Sequence, residues 1–60
     1  MSQVSELELQ NIRHLVLNSD MDIEKYSSYA ESATSSEVKK FFQKSVDSAM
    51  KNRQELMKFL

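Results

Sequence analysis

Neither glycine nor proline occurs anywhere in this chain of 60 residues. Glycine enters positive φ without a steric penalty, and the two residues together build most tight turns. A chain lacking both is poorly equipped for β-hairpins or for loops that cradle phosphate. Most of what remains is Ser, Glu, Lys, Gln, Leu and Ala, and apart from serine these are good helix formers. Hydrophobic residues make up 40% of the chain, too many for a disordered polar tail. Long, uninterrupted helices are therefore expected.

The first helix announces its start. Ser5 followed by Glu8 fits a capping box, in which each side chain satisfies a backbone N–H of the first turn. Glu6 and Glu8 suit the positive end of the helix dipole. From there one heptad register runs through Leu9, Ile12, Val16, Ser19, Ile23, Tyr26, Ala30 and Ala33. Leu15 and Tyr29 widen this stripe into the broad apolar face of a bundle helix. Thr34, Ser35 and Ser36 break the pattern. Three small hydroxyl residues before Glu37 read as a short loop that also caps a second helix. That helix carries Val38, Phe42, Ser45, Ala49, Asn52, Leu56 and Phe59 in register, flanked by Phe41, Val46 and Leu60.

A loop this short joins antiparallel helices. Folding the chain there sets Ala30 opposite Phe41 or Phe42, Tyr26 opposite Ser45, and Ile23 opposite Ala49. Val16 then faces Leu56, and Ile12 faces Phe59. Large side chains meet small ones near the loop, as dense interdigitation requires. Ser19 falls opposite Asn52. This polar layer reads either as a satisfied, partly wet core position or as a pin that sets the register.

One hairpin is not enough to hide its apolar surface. A chain this short buries only about 60% of the surface exposed by its unfolded form. Disulfides, metals or oligomers usually make up the deficit. There is no Cys and a single His, which leaves oligomerisation. Leu17 and Met21 lie off the main stripe of the first helix, with Leu7 and His14 along the same edge. Met50 and Met57 lie off the seam of the second. Apolar surplus of this kind marks contact surfaces. The expectation is an all-α, antiparallel two-helix hairpin (about residues 5–33 and 36–60), one domain over residues 1–60, dimerising into a four-helix bundle. Leu15, Leu17, Met21, Phe41, Val46, Met50 and Met57 are the expected oligomer or partner interface, and Ser19 and Asn52 the register-setting polar layer.

Charge narrows the partners. The net charge is −1, with no basic excess to hold nucleic acid or anionic lipid. The distribution is uneven. The first helix carries Glu6, Glu8, Asp20, Asp22, Glu24 and Glu31 against Arg13 and Lys25; the second carries Lys39, Lys40, Lys44, Lys51, Arg53 and Lys58 against Glu37, Asp47 and Glu55. Two helices of opposite sign attract side by side; a basic helix gripping an acidic partner is the sharper alternative. The longest apolar run, Leu15-Val16-Leu17, is far short of the roughly 20 residues of a membrane span. No signal peptide is evident, so a cytoplasmic or spore-associated location is expected.

Few side chains are placed for chemistry. His14 reads as a helix residue beside Leu17, unless a dimer brings two copies near a carboxylate. Ferritin-type di-metal sites place a glutamate three residues before a histidine; here Asn11 stands three before His14, and Glu55 leads to Lys58. Asp20, Asp22 and Glu24 read as a solvated face rather than as converging acids. Tyr26 and Tyr29 lie on the core stripe, suited to packing with the hydroxyl at an edge. No catalytic residue, metal or cofactor is assigned.

Three stretches are similar to a known family. Residues Ile23 to Ala30, Ser36 to Lys44 and Leu56 to Leu60 resemble the end of the first helix, the start of the second and the apolar C-terminus of small ferritin-like, spore coat F-like proteins of spore-forming Firmicutes. With Leu9 to Leu17, the likeness covers most of the chain. Relatives of that kind often have an acidic residue and proline where this chain has Ser35-Ser36. The resemblance implies a structural, non-catalytic component of spores or sporulating cells, self-associating and in contact with other coat or sporulation proteins. A regulatory module that docks a partner helix is the competing expectation. A small sporulation phosphatase acting on aspartyl-phosphate is a third. It shares the architecture, but its Ser-Gln-x-x-Asp signature is not matched by Gln43-Lys44-Ser45-Val46-Asp47.

Overall fold

A computed structural model describes residues 4–60. The part of the expected domain that falls on residues 1–3 lies outside the described residues. Two helices make up the fold, α1 (Glu6–Ser32) and α2 (Ser36–Met57), and they pack side by side as an antiparallel hairpin. The backbone measures 45 × 17 × 10 Å, a rod one helix thick. Its radius of gyration is 14.2 Å, against about 10 Å for a compact chain of this length.

Each helix begins as its sequence dictates. Ser5 caps α1, and both halves of the capping box form. The Glu8 amide donates to Ser5 Oγ at 3.1 Å, and the Ser5 amide donates to Glu8 Oε1 at 3.1 Å. Ser35 caps α2, its hydroxyl accepting from the Val38 amide at 3.4 Å. The helices end less cleanly, because no glycine is present to take the left-handed conformation that commonly closes a helix. Ala33 leaves α1 in extended conformation. The Ser32 hydroxyl donates back to the carbonyls of Ser28 and Tyr29 at 3.1 and 3.4 Å. The second helix stops at Met57, short of the expected residue 60. Its last carbonyls are taken by tightened bonds from the Lys58, Phe59 and Leu60 amides to Glu55, Leu56 and Met57, the usual way an unpunctuated helix end satisfies its orphan acceptors.

The inward face of α1 is the predicted stripe. Leu9, Ile12, Val16, Ile23, Tyr26 and Ala33 are half-buried, and Ser19 and Ala30 are buried, at 4% and 6% exposure. The inward face of α2 is rotated from the prediction. Phe42, Ser45, Ala49 and Leu56 face α1 as expected, but Val46 and Arg53 join them while Val38, Asn52 and Phe59 are exposed. Asn52 therefore does not close a polar layer with Ser19. The Ser19 hydroxyl instead donates to the Leu15 carbonyl of its own helix at 2.9 Å. The polar bridge at this level is one residue further along each helix, where Arg53 Nε donates to Asp20 Oδ1 at 2.6 Å.

Near the loop the helices are joined by rings. Phe42 stacks on Tyr26 (centroids 6.2 Å apart) and meets Tyr29 edge-on at 5.3 Å, and Phe41 meets Phe42 edge-on at 5.4 Å. The opposite charges of the two helices contribute less across the seam than their totals suggest. Asp20–Arg53 is the one ion pair between helices among the described residues; Asp22–Lys25 and Glu55–Lys58 lie within a helix. Among these residues no helix is long and apolar enough to cross a membrane.

Candidate interaction surface

A single layer of two helices has two broad faces, and the rotation of α2 decides what each presents. On one face, α1 contributes the row Leu15, Asp22 and Tyr29, spaced by heptads beside the inward stripe. The facing edge of α2 contributes Val38, Phe41, Ser45, Ser48 and Asn52. The groove between them is lined by Asp22, Tyr26, Phe41, Ser45, Ala49 and Asn52, among others. Along the rod this face is apolar near the loop (Tyr29, Val38, Phe41), polar in the middle (Asp22, Ser45, Ser48, Asn52) and apolar again at Leu15, with Phe59 of the terminal turn at that end. Phe41 is 64% exposed. Two charged residues line the groove, Lys44 and Asp22, and Asp22 is met by Lys25 Nζ at 3.5 Å.

The opposite face is more charged. The Asp20–Arg53 pair spans its seam, and nearer the loop its groove is lined by Ala30, Glu31, Lys39, Gln43 and Val46 among others. Leu17, Met50 and Met57 flank it, with Leu17 61% exposed. A third surface is the outer side of α1, where Leu7, His14 and Met21 repeat at heptad spacing and are exposed. A shallow groove there is lined by Asn18, Met21, Lys25, Ser28 and Tyr29 among others.

The residues expected at an interface are therefore not one patch. Leu15 and Phe41 share the first face, while Leu17, Val46, Met50 and Met57 belong to the second. Met21 stands alone with Leu7 on the third. Asn52, expected in the core, sits on the first face beside Ser45. Tyr29 and Val38 also belong there and were not singled out as interface positions. Their signal was present in the heptad rows, since Tyr29 repeats Leu15 at twice seven residues, but its reading depends on how α2 is rotated.

Of the three surfaces the first has the composition of a buried interface centre, rich in aromatic residues and poor in charge. Nothing in its geometry assembles reactive groups. Among the described residues no three His, Asp or Glu side chains lie together so as to hold a metal ion. The Glu8 carboxyl, held below its ordinary range, is remote from this face. Glu8 is pushed below 4.5 by the hydrogen bond from the Ser5 backbone, helped by the Ser5 hydroxyl. That is capping chemistry, not catalysis.

No family model, curated protein or solved structure matches the chain.

Proposed function

We propose that this protein is a non-catalytic structural or interaction module whose hairpin pairs with a second copy through the aromatic face, giving a four-helix bundle. The observation that carries this reading is how little the lone hairpin buries. Ala30 and Ser19 alone are buried among the described residues, and eleven large apolar side chains are exposed. A compact monomer of this mass exposes about 4,000 Å², whereas the hairpin exposes 5059 Å². The surplus of about 1,000 Å² exceeds the roughly 800 Å² that each partner gives to an interface of standard size. Burying a Phe, Leu or Tyr side chain stabilises by roughly 1.5–3 kcal/mol, so a few such burials rival the whole stability of a small domain. A symmetric dimer is the simplest assembly that closes.

The resemblance of residues 23–30 and 36–44 to spore coat F-like hairpins supports a role in a spore or a sporulating cell, contributing to a coat or packing on another coat protein. Leu7 and Met21, exposed at 67% and 62% on the outer side of α1, favour a second reading alongside the first. They lie on the outer side of α1, where Met21 shares a shallow groove with Tyr29 at the edge of the dimer face, and remain open to a partner helix.

Size-exclusion chromatography with light scattering tests the dimer. The wild type is expected at twice its chain mass at micromolar concentration. Phe41→Glu and Leu15→Glu each weaken the dimer by at least tenfold, and Leu7→Glu on the outer side of α1 leaves it intact. A helical, folded monomer at every concentration overturns the reading. If both face variants stay dimeric, the interface lies elsewhere.

A further inference from the structure

The aromatic face admits two symmetric pairings. In one, the two-fold axis runs along the rod, the loops of both copies lie at the same end, and each α1 stacks on the α2 of the second copy. In the other, the axis crosses the rod, the loops lie at opposite ends, and α1 stacks on α1 and α2 on α2. Shape does not choose between them. The face is apolar at both ends and polar in the middle, so rings meet aliphatic or aromatic side chains either way.

Charge does choose. The helix α1 and its cap carry six acids against two bases, and residues 36–60 carry six bases against three acids. Stacking like on like sets two acidic α1 helices against each other with Asp22 nearest the axis, and likewise two basic α2 helices with Lys44 at the edge of the groove. Within the hairpin one ion pair joins the helices, Asp20–Arg53, and Lys58 is met by Glu55 of its own helix, whereas Lys44 and Lys51 make no ion pair among the described residues. Like charges facing across a seam suppress the wrong partner and the wrong register.

Resting on the dimer reading above, we propose that the second copy docks with its loop at the same end. Every α1 then lies between two α2 helices, every neighbour is antiparallel, and each acidic helix has basic helices beside it. Tyr29 meets Phe41 of the second copy near the loop. Asp22 meets the Ser48–Asn52 stretch of the second copy in the middle, and Leu15 meets the terminal turn containing Phe59. In this arrangement Asn52 fixes the register between copies rather than within one.

The chain has no cysteine, so Thr34→Cys places a unique label on the exposed loop. The experiment is a spin-label distance measurement on the full chain carrying Thr34→Cys, with sedimentation equilibrium on the same sample and circular dichroism to confirm helicity. Loops at the same end lie about one helix spacing apart, roughly 10 Å before the label's own reach. Loops at opposite ends are separated by nearly the 45 Å length of the rod. A short distance in a dimeric sample supports the proposal, as does rapid oxidative cross-linking of the unlabelled variant. A dimer with a long distance overturns the pairing and leaves the dimer standing. A monomer at all concentrations overturns both. The Lys44→Glu/Lys51→Glu double variant is a second arm. It weakens the same-end dimer by tenfold or more, whereas a like-on-like dimer would not weaken and could tighten.

Discussion

The half of the rod near the loop and the half near the free ends are held by different means. Near the loop, Phe42 is wedged between Tyr26 and Tyr29, and Ala30 is buried where a small residue lets the helices close. Toward the free ends there are no rings across the seam among the described residues. Half-buried Ile12, Val16 and Leu56 supply the apolar contact, and the Asp20–Arg53 pair supplies the polar one. That pair is more than a third exposed on each side, and exposed pairs contribute little. The contrast teaches where a second copy matters more. The loop half carries much of its own stability, whereas the free-end half lacks a core until something covers it.

Truncation is the strongest way to break this contrast. Phe42→Ala removes both cross-helix ring contacts and is expected to cost about 3 kcal/mol, the low end for a Phe-to-Ala change because the ring is only half-buried. That is enough to abolish a cooperative thermal transition in so small a domain. Leu56→Ala in the other half is expected to cost about 2 kcal/mol. Chemical denaturation followed by circular dichroism reads both, and an equal or larger loss at Leu56 would erase the difference between the halves. A smaller effect sharpens it. Ser35→Ala and Ser5→Ala each remove a cap worth about 1 kcal/mol. At Ser35 the loss falls on the loop half and lowers the global midpoint; at Ser5 it shows as faster amide exchange in the first turn of α1 and leaves the midpoint nearly unchanged.

The smallest effect comes from acid. Glu8 is held below 4.5 when folded, chiefly by the Ser5 backbone hydrogen bond. A depressed carboxyl contributes stability that is present above its unfolded value and is lost as pH falls through the folded one. As pH drops below 4.5 the first turn of α1 is therefore expected to fray while the ring cluster holds, with amide exchange by NMR as the readout. Loss of the ring contacts before the first turn would contradict this.

The contrast also marks what could be read from the residues alone. Both helix starts were legible because capping, by Ser5 with Glu8 and by a hydroxyl of the Thr34-Ser35-Ser36 run, is local chemistry that needs no partner. The α1 stripe was legible because its apolar residues leave one continuous row. The face of α2 was not, because Phe42, Ala49 and Leu56 belong to two neighbouring registers at once. Between Asn52 and Arg53 the polar, shorter residue looked like the inward one. The long arginine won because its stem can lie along apolar surface while its guanidinium reaches Asp20. That single rotation moved Asn52 to the surface, brought Val46 inward, and split the expected interface residues over three surfaces. The end of α2 was missed for the opposite reason, since without glycine or proline nothing in the sequence marks where it stops.

The dependence of wild-type melting on protein concentration tests the central claim most directly. An assembly whose folded state requires a second copy melts at a temperature that rises with concentration. Circular dichroism melts from about one micromolar to about one millimolar are expected to show a steady rise in Tm, with helicity at the dilute end already reduced. A sharp transition at one fixed temperature across that whole range, from a fully helical chain, would show that the lone hairpin stands without a second copy.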